Sequence, residues 1–253
     1  MIDTPLKTMS EVAPRPPTPT AANSGLRYVS NDDVSCRMFE SNFRERLSHI
    51  KPWVPHVIFV PVLAVSLVAA FRTDAPARVA VFYVLGLFLW TLVEYAIHRG
   101  IFHATQFIEN DTRRIVGSLP RDQAVVPNLP TVRHKFYFVA HGVHHDYPND
   151  STRLVLAPSV SIPLALFFYG VFRLLFGAAT PAAYAGLITG YLLYDTIHFA
   201  VHHASGRWRL LRPLKRHHFR HHYADSTRDF GVSSPLWDYP IGTRGSAETA
   251  RQR

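Results

Sequence analysis

The sequence predicts an all-α integral membrane protein with four transmembrane helices and a histidine-rich cap on their cytosolic side. Two observations support this fold class. Four segments are long, apolar and almost free of charge: residues 54–71, 79–97, 154–176 and 182–201. A bilayer core needs about 20 mostly apolar residues per helix, so each segment is long enough to cross it. Most of the 15 histidines also lie in short groups at or beyond the ends of these segments.

A buried helix of a soluble α-helical protein is the alternative for any one segment, but four in one chain favour a multi-pass membrane protein. The first segment begins more than 50 residues into the chain, so it is not predicted to be a cleavable signal peptide. The single cysteine, Cys36, excludes an internal disulfide framework and a cluster of thiolate metal ligands.

The distribution of the net charge of +9 predicts the orientation in the membrane. With four spans, both termini and the loop between the second and third spans lie on one side. That side holds 24 of the 27 lysines and arginines, since only Arg72, Arg78 and Arg173 fall on the other. By the positive-inside rule, both termini and the cap are cytoplasmic. The basic face is expected to lie against anionic lipid head groups, so no nucleic-acid partner is predicted.

The chain divides into four predicted parts. Residues 1–33 are rich in Pro, Thr, Ser and Ala and are predicted to be a disordered tail. Apolar side chains recur at helical spacing in residues 34–51, which predicts an amphipathic interfacial helix lying on the membrane. A helix packed on the protein's own cytosolic part is the alternative there. Residues 52–243 are predicted to form a membrane-embedded domain, followed by a C-terminal tail at 244–253.

Within the embedded domain, short loops at residues 72–78 and 177–181 join the spans into two hairpins. Polar and proline-containing residues at 104–133 predict a cytosolic excursion with one short helix. The histidine groups adjoin these elements at positions 98/103, 141/144/145, 198/202/203 and 217/218/221/222. All four groups are therefore expected on the cytosolic side.

The spacing of the histidines predicts shared helix faces. Residues three or four apart lie on one face of a helix. This spacing occurs in three groups: His141, His144 and His145; His198 and His202; and His218, His221 and His222. His98 and His103 are five apart, too far round a regular helix to share a face, so the helix is expected to end near Gly100.

So many clustered imidazoles predict a metal site, because neutral imidazole is the commonest metal ligand. They exceed what one ion accepts, so two metals with roughly five ligands each are the simplest interpretation. Imidazole is compatible with iron, zinc, copper or nickel. Glu94 and Asp195 lie about one turn before histidines and suit acceptors for the N–H of metal-bound imidazoles. Ion pairs with Arg99 or Arg173 are the alternative role for these carboxylates.

The histidine groups belong to longer motifs: HRGIFH, HGVHHDYPNDSTRLV, YDTIHFAVHH, LKRHHFRHHY and FGVSSPLWD. In this order and spacing they resemble the fatty acid hydroxylase superfamily over roughly residues 79–242. The RLV and SSxxWD elements are most similar to those of the fatty acid 2-hydroxylases, which act on the acyl chains of sphingolipids. By this resemblance ten histidines are metal ligands: His98, His103, His141, His144, His145, His198, His202, His218, His221 and His222. His49, His56, His134, His203 and His217 fall outside the set.

The resemblance implies a cytosolic histidine-rich di-metal cap that hydroxylates a lipid acyl chain, at C2, with O₂ as co-substrate. It implies two iron ions, with zinc able to occupy isolated protein. The residues before the first span are too few for the cytochrome-b5-like domain fused to eukaryotic members. A separate electron-transfer protein is therefore expected: cytochrome-b5-like, a ferredoxin or a reductase. The sequence departs from the family at Ala157-Pro158, where Pro-Pro is common.

Two rival functions remain open from the sequence. A sterol or carotenoid hydroxylase, an alkane hydroxylase or a desaturase has the same histidine groups, but the RLV and SSxxWD elements argue against these enzymes. A non-catalytic membrane metal-binding protein or transporter is the rival from another class. Transporters place ligands near the bilayer midplane, whereas these histidines collect at one surface.

Overall fold

The computed structural model describes residues 27–205 and 208–245, and every regular element within them is helical. The predicted tails at 1–33 and 244–253 lie largely outside the described residues. The α-helices are α1 Asn42–Ser48, α2 Val54–Thr73, α3 Pro76–Ile97, α4 Glu109–Ser118, α5 Val125–Asn128, α6 Val132–Tyr137, α7 Val143–Asp146, α8 Pro158–Phe176, α9 Thr180–His203 and α10 Leu211–Tyr223. Two π-helical turns, His98–Phe102 and Phe138–Gly142, follow α3 and α6, and 3-10 turns occur at Gln106–Ile108, Gly177–Ala179 and Leu236–Asp238.

Three helical stretches are long and apolar enough to cross a membrane: Val54–Thr73, Pro76–Phe102 and Pro158–His203. The third is interrupted by the 3-10 turn at Gly177–Ala179, where Gly177 has a φ of +54° that glycine adopts without strain. The chain reverses there, and the Tyr184 hydroxyl of α9 donates back to the Ala165 carbonyl of α8 at 3.1 Å. The stretch is therefore a hairpin of α8 and α9.

Helix α9 lies at the centre of these apolar helices and packs against α2, α3 and α8. Glycines allow its backbone to approach α3 closely. A Cβ at Gly86 would lie 1.8 Å from the Ala183 carbonyl oxygen, and one at Gly186 would lie 2.0 Å from that of Tyr83. Small residues at such crossings are typical of helix packing in membranes, where close van der Waals contact replaces the hydrophobic effect. This crossing fixes the histidine-bearing ends of α3 and α9 side by side.

The N-terminal helix is shorter than the sequence predicted. The interfacial helix expected over 34–51 is helical only at Asn42–Ser48. The Glu45 carboxylate accepts the backbone N–H groups of Met38 and Phe39 at 2.9 and 2.8 Å, which folds the preceding segment back across the start of α1. Cys36 and Met38 are buried in the second hydrophobic core, so this segment packs on the protein itself. The residues after α3 also form two helices, α4 and α5, where one was expected.

Candidate metal centre

The ten predicted ligands come together as two groups of five buried histidines. The first histidine group is His98, His103, His141, His145 and His221, and the second is His144, His198, His202, His218 and His222. In each group, one ring nitrogen per residue lies within 4.8 Å of every other. The division into two fives was expected in number, but the sequence did not assign histidines to either group.

A π-helical turn places His103 beside His98. The N–H of His103 donates to the His98 carbonyl at 3.0 Å, five residues back, which is the π-helical pattern. The two rings lie 5.0 Å apart, centroid to centroid. The expectation that the helix ends near Gly100 is therefore wrong. In the wider π-helical turn, residues five apart lie on one face.

The neighbouring residues His144 and His145 point to different groups. Helix α7 carries both, with His145 in the first group and His144 in the second. Helix α10 divides in the same way: His221 belongs to the first group, whereas His218 and His222 belong to the second. Both helices thus connect the two groups and fix the distance between them.

Backbone carbonyls orient three of the imidazoles. The Nδ1–H of His98 donates to the Phe230 carbonyl at 2.5 Å, and that of His221 donates to the Arg228 carbonyl at 2.7 Å. In the second group, the Nδ1–H of His198 donates to the Leu154 carbonyl at 2.9 Å. Because each carbonyl only accepts, these rings carry their proton on Nδ1 and present a bare Nε2 to the centre of the group.

This donor set fits a metal ion. His98 and His221 both present a bare Nε2 to the first group, and their ring centroids are 4.6 Å apart. Two lone pairs that face one buried space repel each other unless a cation lies between them. In the second group, Nε2 of His198 lies 2.9 Å from that of His144. Imidazole-only sets of this kind suit a first-row transition metal.

Burial keeps the imidazoles neutral, which is the form that binds metal. Burial, followed by the charge of neighbouring imidazoles, lowers the pKa of His103, His141, His144, His145, His218 and His222 well below the ordinary value of 6.5.

The five histidines that the sequence set aside also lie outside both groups. Among them, His203 is exposed and stacks on Phe199 with centroids 4.6 Å apart.

The two predicted carboxylates contact loops that orient the histidines and do not contact the histidines themselves. Glu94 does not contact His98; it accepts the N–H groups of Val232 and Ser233 at 2.6 and 2.7 Å, and also the Ser233 hydroxyl. It therefore holds the loop whose Phe230 carbonyl orients His98. Within the described residues, neither Glu94 nor Asp195 pairs with Arg99 or Arg173.

Asp195 has the corresponding position in the second group. Its Oδ1 accepts the N–H of Leu156 at 3.5 Å, next to the Leu154 carbonyl that orients His198. In the described structure both carboxylates therefore contact loops that orient ligand histidines, and their role beside the metal centre stays a prediction. The sequence could not show that loop carbonyls, rather than these carboxylates, accept the histidine N–H groups, because the loops come from distant parts of the chain.

Sequence reasoning missed the network that holds the C-terminal loop. Asp238 is buried and accepts from Nε2 of His217 at 3.0 Å, from the N–H of Phe230 and of Gly231 at 2.9 Å, and from the Thr243 hydroxyl at 2.8 Å. In the sequence, Trp237-Asp238 contributed to the family resemblance, but no structural role was predicted for Asp238. The available sequence signal was the pair of aspartates, Asp229 and Asp238, that bracket the FGVSSPLWD motif next to the extra histidine His217.

A second missed network lies behind His145. The Glu109 carboxylate is 3.8 Å from Nδ1 of His145 and accepts from Arg113 at 2.6 Å and from the Ser226 hydroxyl at 2.8 Å. Arg113 also pairs with Asp146 at 2.8 Å. Burial raises the pKa of Asp146 to about 7, against the lowering effect of Arg113. These charged groups on α4 and α7 thus pack behind His145 of the first histidine group.

Comparison with known proteins agrees with this geometry. A family model described as fatty acid hydroxylase matches residues 83–243. The dihydroceramide fatty acyl 2-hydroxylase FAH1 of Arabidopsis thaliana is 30% identical, over 85% of this chain and 83% of its own. The ceramide very long chain fatty acid hydroxylase SCS7 of Saccharomyces cerevisiae is 34% identical, over 80% of this chain and 48% of its own.

The fatty acid 2-hydroxylase of Homo sapiens is 32% identical, over 82% of this chain and 56% of its own. The chain thus spans about half the length of the yeast and human relatives. A solved structure described as full-length scs7p, with only the hydroxylase domain visible, has a TM-score of 0.69 at 32% identity. That match covers 81% of this chain and 70% of the solved one.

Proposed function

The chain belongs to the fatty acid hydroxylase family, and from this membership we propose that it is a membrane-bound lipid monooxygenase that hydroxylates a fatty acyl chain at C2. The relatives above are named as 2-hydroxylases or hydroxylases of fatty acyl chains and ceramides. The observation that carries the proposal is the pair of five-histidine groups beside the apolar helices. The histidines can hold redox-active metals, and the helices give access to lipid.

We propose two iron ions as the metals, one in each histidine group. Iron supplies the redox chemistry with O₂ that an unactivated C–H bond requires and that side chains lack. Zinc has no redox chemistry and would occupy isolated protein without activity. The chain's own residues hold the imidazoles neutral, orient them through the Phe230, Arg228 and Leu154 carbonyls, and exclude water by burial. A separate electron-transfer protein, cytochrome-b5-like, a ferredoxin or a reductase, would deliver the two electrons of each turnover.

The depth of the histidine groups favours C2. The candidate span Pro76–Phe102 has 27 residues, or about 40 Å of helix, whereas a hydrocarbon core is about 30 Å thick. His98 and His103 lie at its far end, so the first group sits near the interface where a membrane lipid keeps its carbonyl. C2 is the methylene nearest to that carbonyl. Bringing a deeper carbon to the interface would expose the chain at about 0.8 kcal/mol per CH₂.

We propose that an apolar recess between α3, α8 and α9 receives the tail of the substrate. Its enclosed volume is about 20 Å³ and its exposed lining is entirely apolar, so a tail would enter by parting the side chains that line it. Leu156 and Tyr191 lie at the end of the recess nearer the second histidine group, close in sequence to Leu154 and Asp195. A hydrocarbon chain is the ligand that such a lining stabilises.

Ala165→Trp should lower kcat/KM for long acyl chains about tenfold, which corresponds to about 1.4 kcal/mol. The reason is that Ala165 lines the recess, so the indole would fill the space meant for the tail. Leu166→Trp is the matched control, because Leu166 is the next residue on α8 and is 66% exposed. Turnover of long and short acyl substrates by both variants checks this. Equal effects of the two variants would exclude the recess as the tail site.

We also propose that α2, α3, α8 and α9 each cross the bilayer, with both termini and the metal centre in the cytoplasm. The α8–α9 hairpin and the concentration of 24 of 27 basic residues on one side support this topology. In intact cells, an impermeant thiol reagent should label Ala75→Cys and fail to label Gln123→Cys, both exposed positions. After permeabilisation both should react. Labelling of both before permeabilisation would contradict the topology.

Expression of the chain in a host lacking 2-hydroxy lipids tests the function. We expect 2-hydroxy acyl lipids to appear, because the interface depth of the site presents C2 to the metals. Mass spectrometry with fragmentation of the acyl chain locates the hydroxyl. A mid-chain or terminal hydroxyl, or a new double bond, would favour one of the relatives with the same histidine groups and would contradict the C2 assignment.

A further inference from the structure

Five large apolar side chains lie exposed around the helices that lead to His141. We call them the apolar strip: Ile101, Phe107, Val132, Phe136 and Val139, with exposed fractions of 46, 69, 83, 52 and 43%. All except Ile101 lie outside the candidate membrane spans. An exposed apolar surface of this extent is typical of a site that contacts a membrane or another protein.

Three members of the strip lie on the helix formed by α6 and the π-turn after it, whereas Ile101 and Phe107 belong to the turns that follow α3. The opposite face of that helix is buried, with Tyr137, Phe138 and His141 turned towards the protein. Val132, Phe136 and Val139 recur at spacings of four and three, so they share the outward face. A helix that is apolar on both faces is covered on both, in a protein core or by lipid. The inward face packs on the protein, so the outward apolar face requires contact with a second apolar partner to be shielded from water.

The position of the strip relative to α3 identifies that partner as the bilayer. Phe102, at the end of the candidate span Pro76–Phe102, stacks on the ring of His141 with centroids 4.9 Å apart. The helix that carries His141 thus lies directly against the end of the span, through its inward face. With about 40 Å of helix from Pro76, Ile101 lies at the head-group level, since the bilayer with its head groups is about 40–45 Å thick.

The charges around the strip suit a lipid surface. Arg99 and Arg133 are exposed beside it, and the Arg133 guanidinium lies over the Phe107 ring at 5.5 Å. The nearby carboxylate of Asp111 is already paired, with His134 at 3.2 Å and with Arg114 at 3.7 Å. Aromatic and aliphatic side chains next to arginines are the pattern of interfacial helices, which attract anionic head groups.

We propose that the apolar strip inserts into the leaflet next to the metal centre, at the boundary between acyl chains and head groups. The occupant of this surface is bilayer lipid. The insertion holds the helix that carries His141 on the membrane, so the first histidine group faces the depth at which lipid carbonyls lie. The proposal concerns where the protein meets lipid and does not depend on the reaction, so it fails or stands separately from the proposed function.

Single-cysteine variants of the full chain test the insertion. Cys36 is buried and is replaced by alanine in the background. Phe136→Cys and Phe107→Cys, each carrying a bimane fluorophore, are reconstituted into phosphatidylcholine–phosphatidylglycerol vesicles with brominated acyl chains. We expect bromine to quench both labels to the degree seen at Val81→Cys, which is 65% exposed within the span.

Ser118→Cys is the control outside the strip, since it is exposed on α4. Its label should stay unquenched in the same vesicles. Quenching at Phe136→Cys and Phe107→Cys no greater than at Ser118→Cys would overturn the proposal, whether those positions face water or a protein partner. The readout is fluorescence of intact reconstituted protein and requires neither metal nor turnover. Retention of the wild-type melting temperature by each variant confirms that the label reports on folded protein.

Discussion

His202→Ala should abolish product and remove about one metal ion per chain, whereas His203→Ala should leave both product and metal content unchanged. His202 is buried in the second histidine group, and its Nε2 lies 3.0 Å from that of His218. His203 is the next residue on α9 but is exposed and stacks on Phe199. Changing residues that merely support metal ligands costs about 10–100-fold in metal affinity or activity, so loss of a ligand should exceed about a hundredfold.

Elemental analysis of purified protein and quantification of product together measure this effect. Protein made in iron-replete cells should contain about two metal ions per chain, as expected for two groups of five ligands. His141→Ala should empty the first group in the same way that His202→Ala empties the second. The assignment of two sites would be wrong if active wild-type protein held only one ion, or if His203→Ala behaved as His202→Ala does.

Asp238→Ala should lower the free energy of unfolding by about 3–5 kcal/mol, the cost of removing one partner from a buried charged network. The substitution leaves Nε2 of His217, two backbone N–H groups and the Thr243 hydroxyl without their acceptor. In a chain of this size, that loss corresponds to a melting temperature about 10 °C lower. Because the same loop supplies the Phe230 carbonyl to His98, metal should also be lost from the first group.

Thermal unfolding in detergent or nanodiscs measures the change, and Asp225→Ala is the control. Asp225 belongs to the same loop but is partly exposed, accepts from Thr227 at 2.6 and 3.0 Å and pairs weakly with Arg228 at 3.5 Å. Its loss should change stability by no more than about 0.5 kcal/mol. A comparable fall for both variants would mean that the Asp238 network is not the element that fixes the loop.

The sequence predicted those features that depend on composition and local spacing. Runs without charge identified the apolar helices, and spacings of three and four placed His218 and His222 on one face of α10. Motif order identified the ten histidines that the structure gathers. These signals lie in short windows of the chain, so they can be read without knowing which distant segments meet in the fold.

Features that depend on contacts between distant segments were not predictable. The division of His144 and His145 between two groups follows from how α7 meets α9 and α10, and no local pattern encodes it. The π-turn at His98–Phe102 stands where a helix end was expected, and the sequence carries no local signal for it. Glu94 holds a loop that lies more than a hundred residues further along, so its role was visible only in three dimensions.

Oxygen insertion at C2 is tested by mass spectrometry of lipids from expressing cells supplied with isotopically labelled O₂. We expect one labelled oxygen atom at C2 of the acyl chain, present with the wild-type chain and with His203→Ala and absent with His202→Ala. Labelled oxygen at any other carbon, or 2-hydroxy lipid that carries no label, would contradict this expectation.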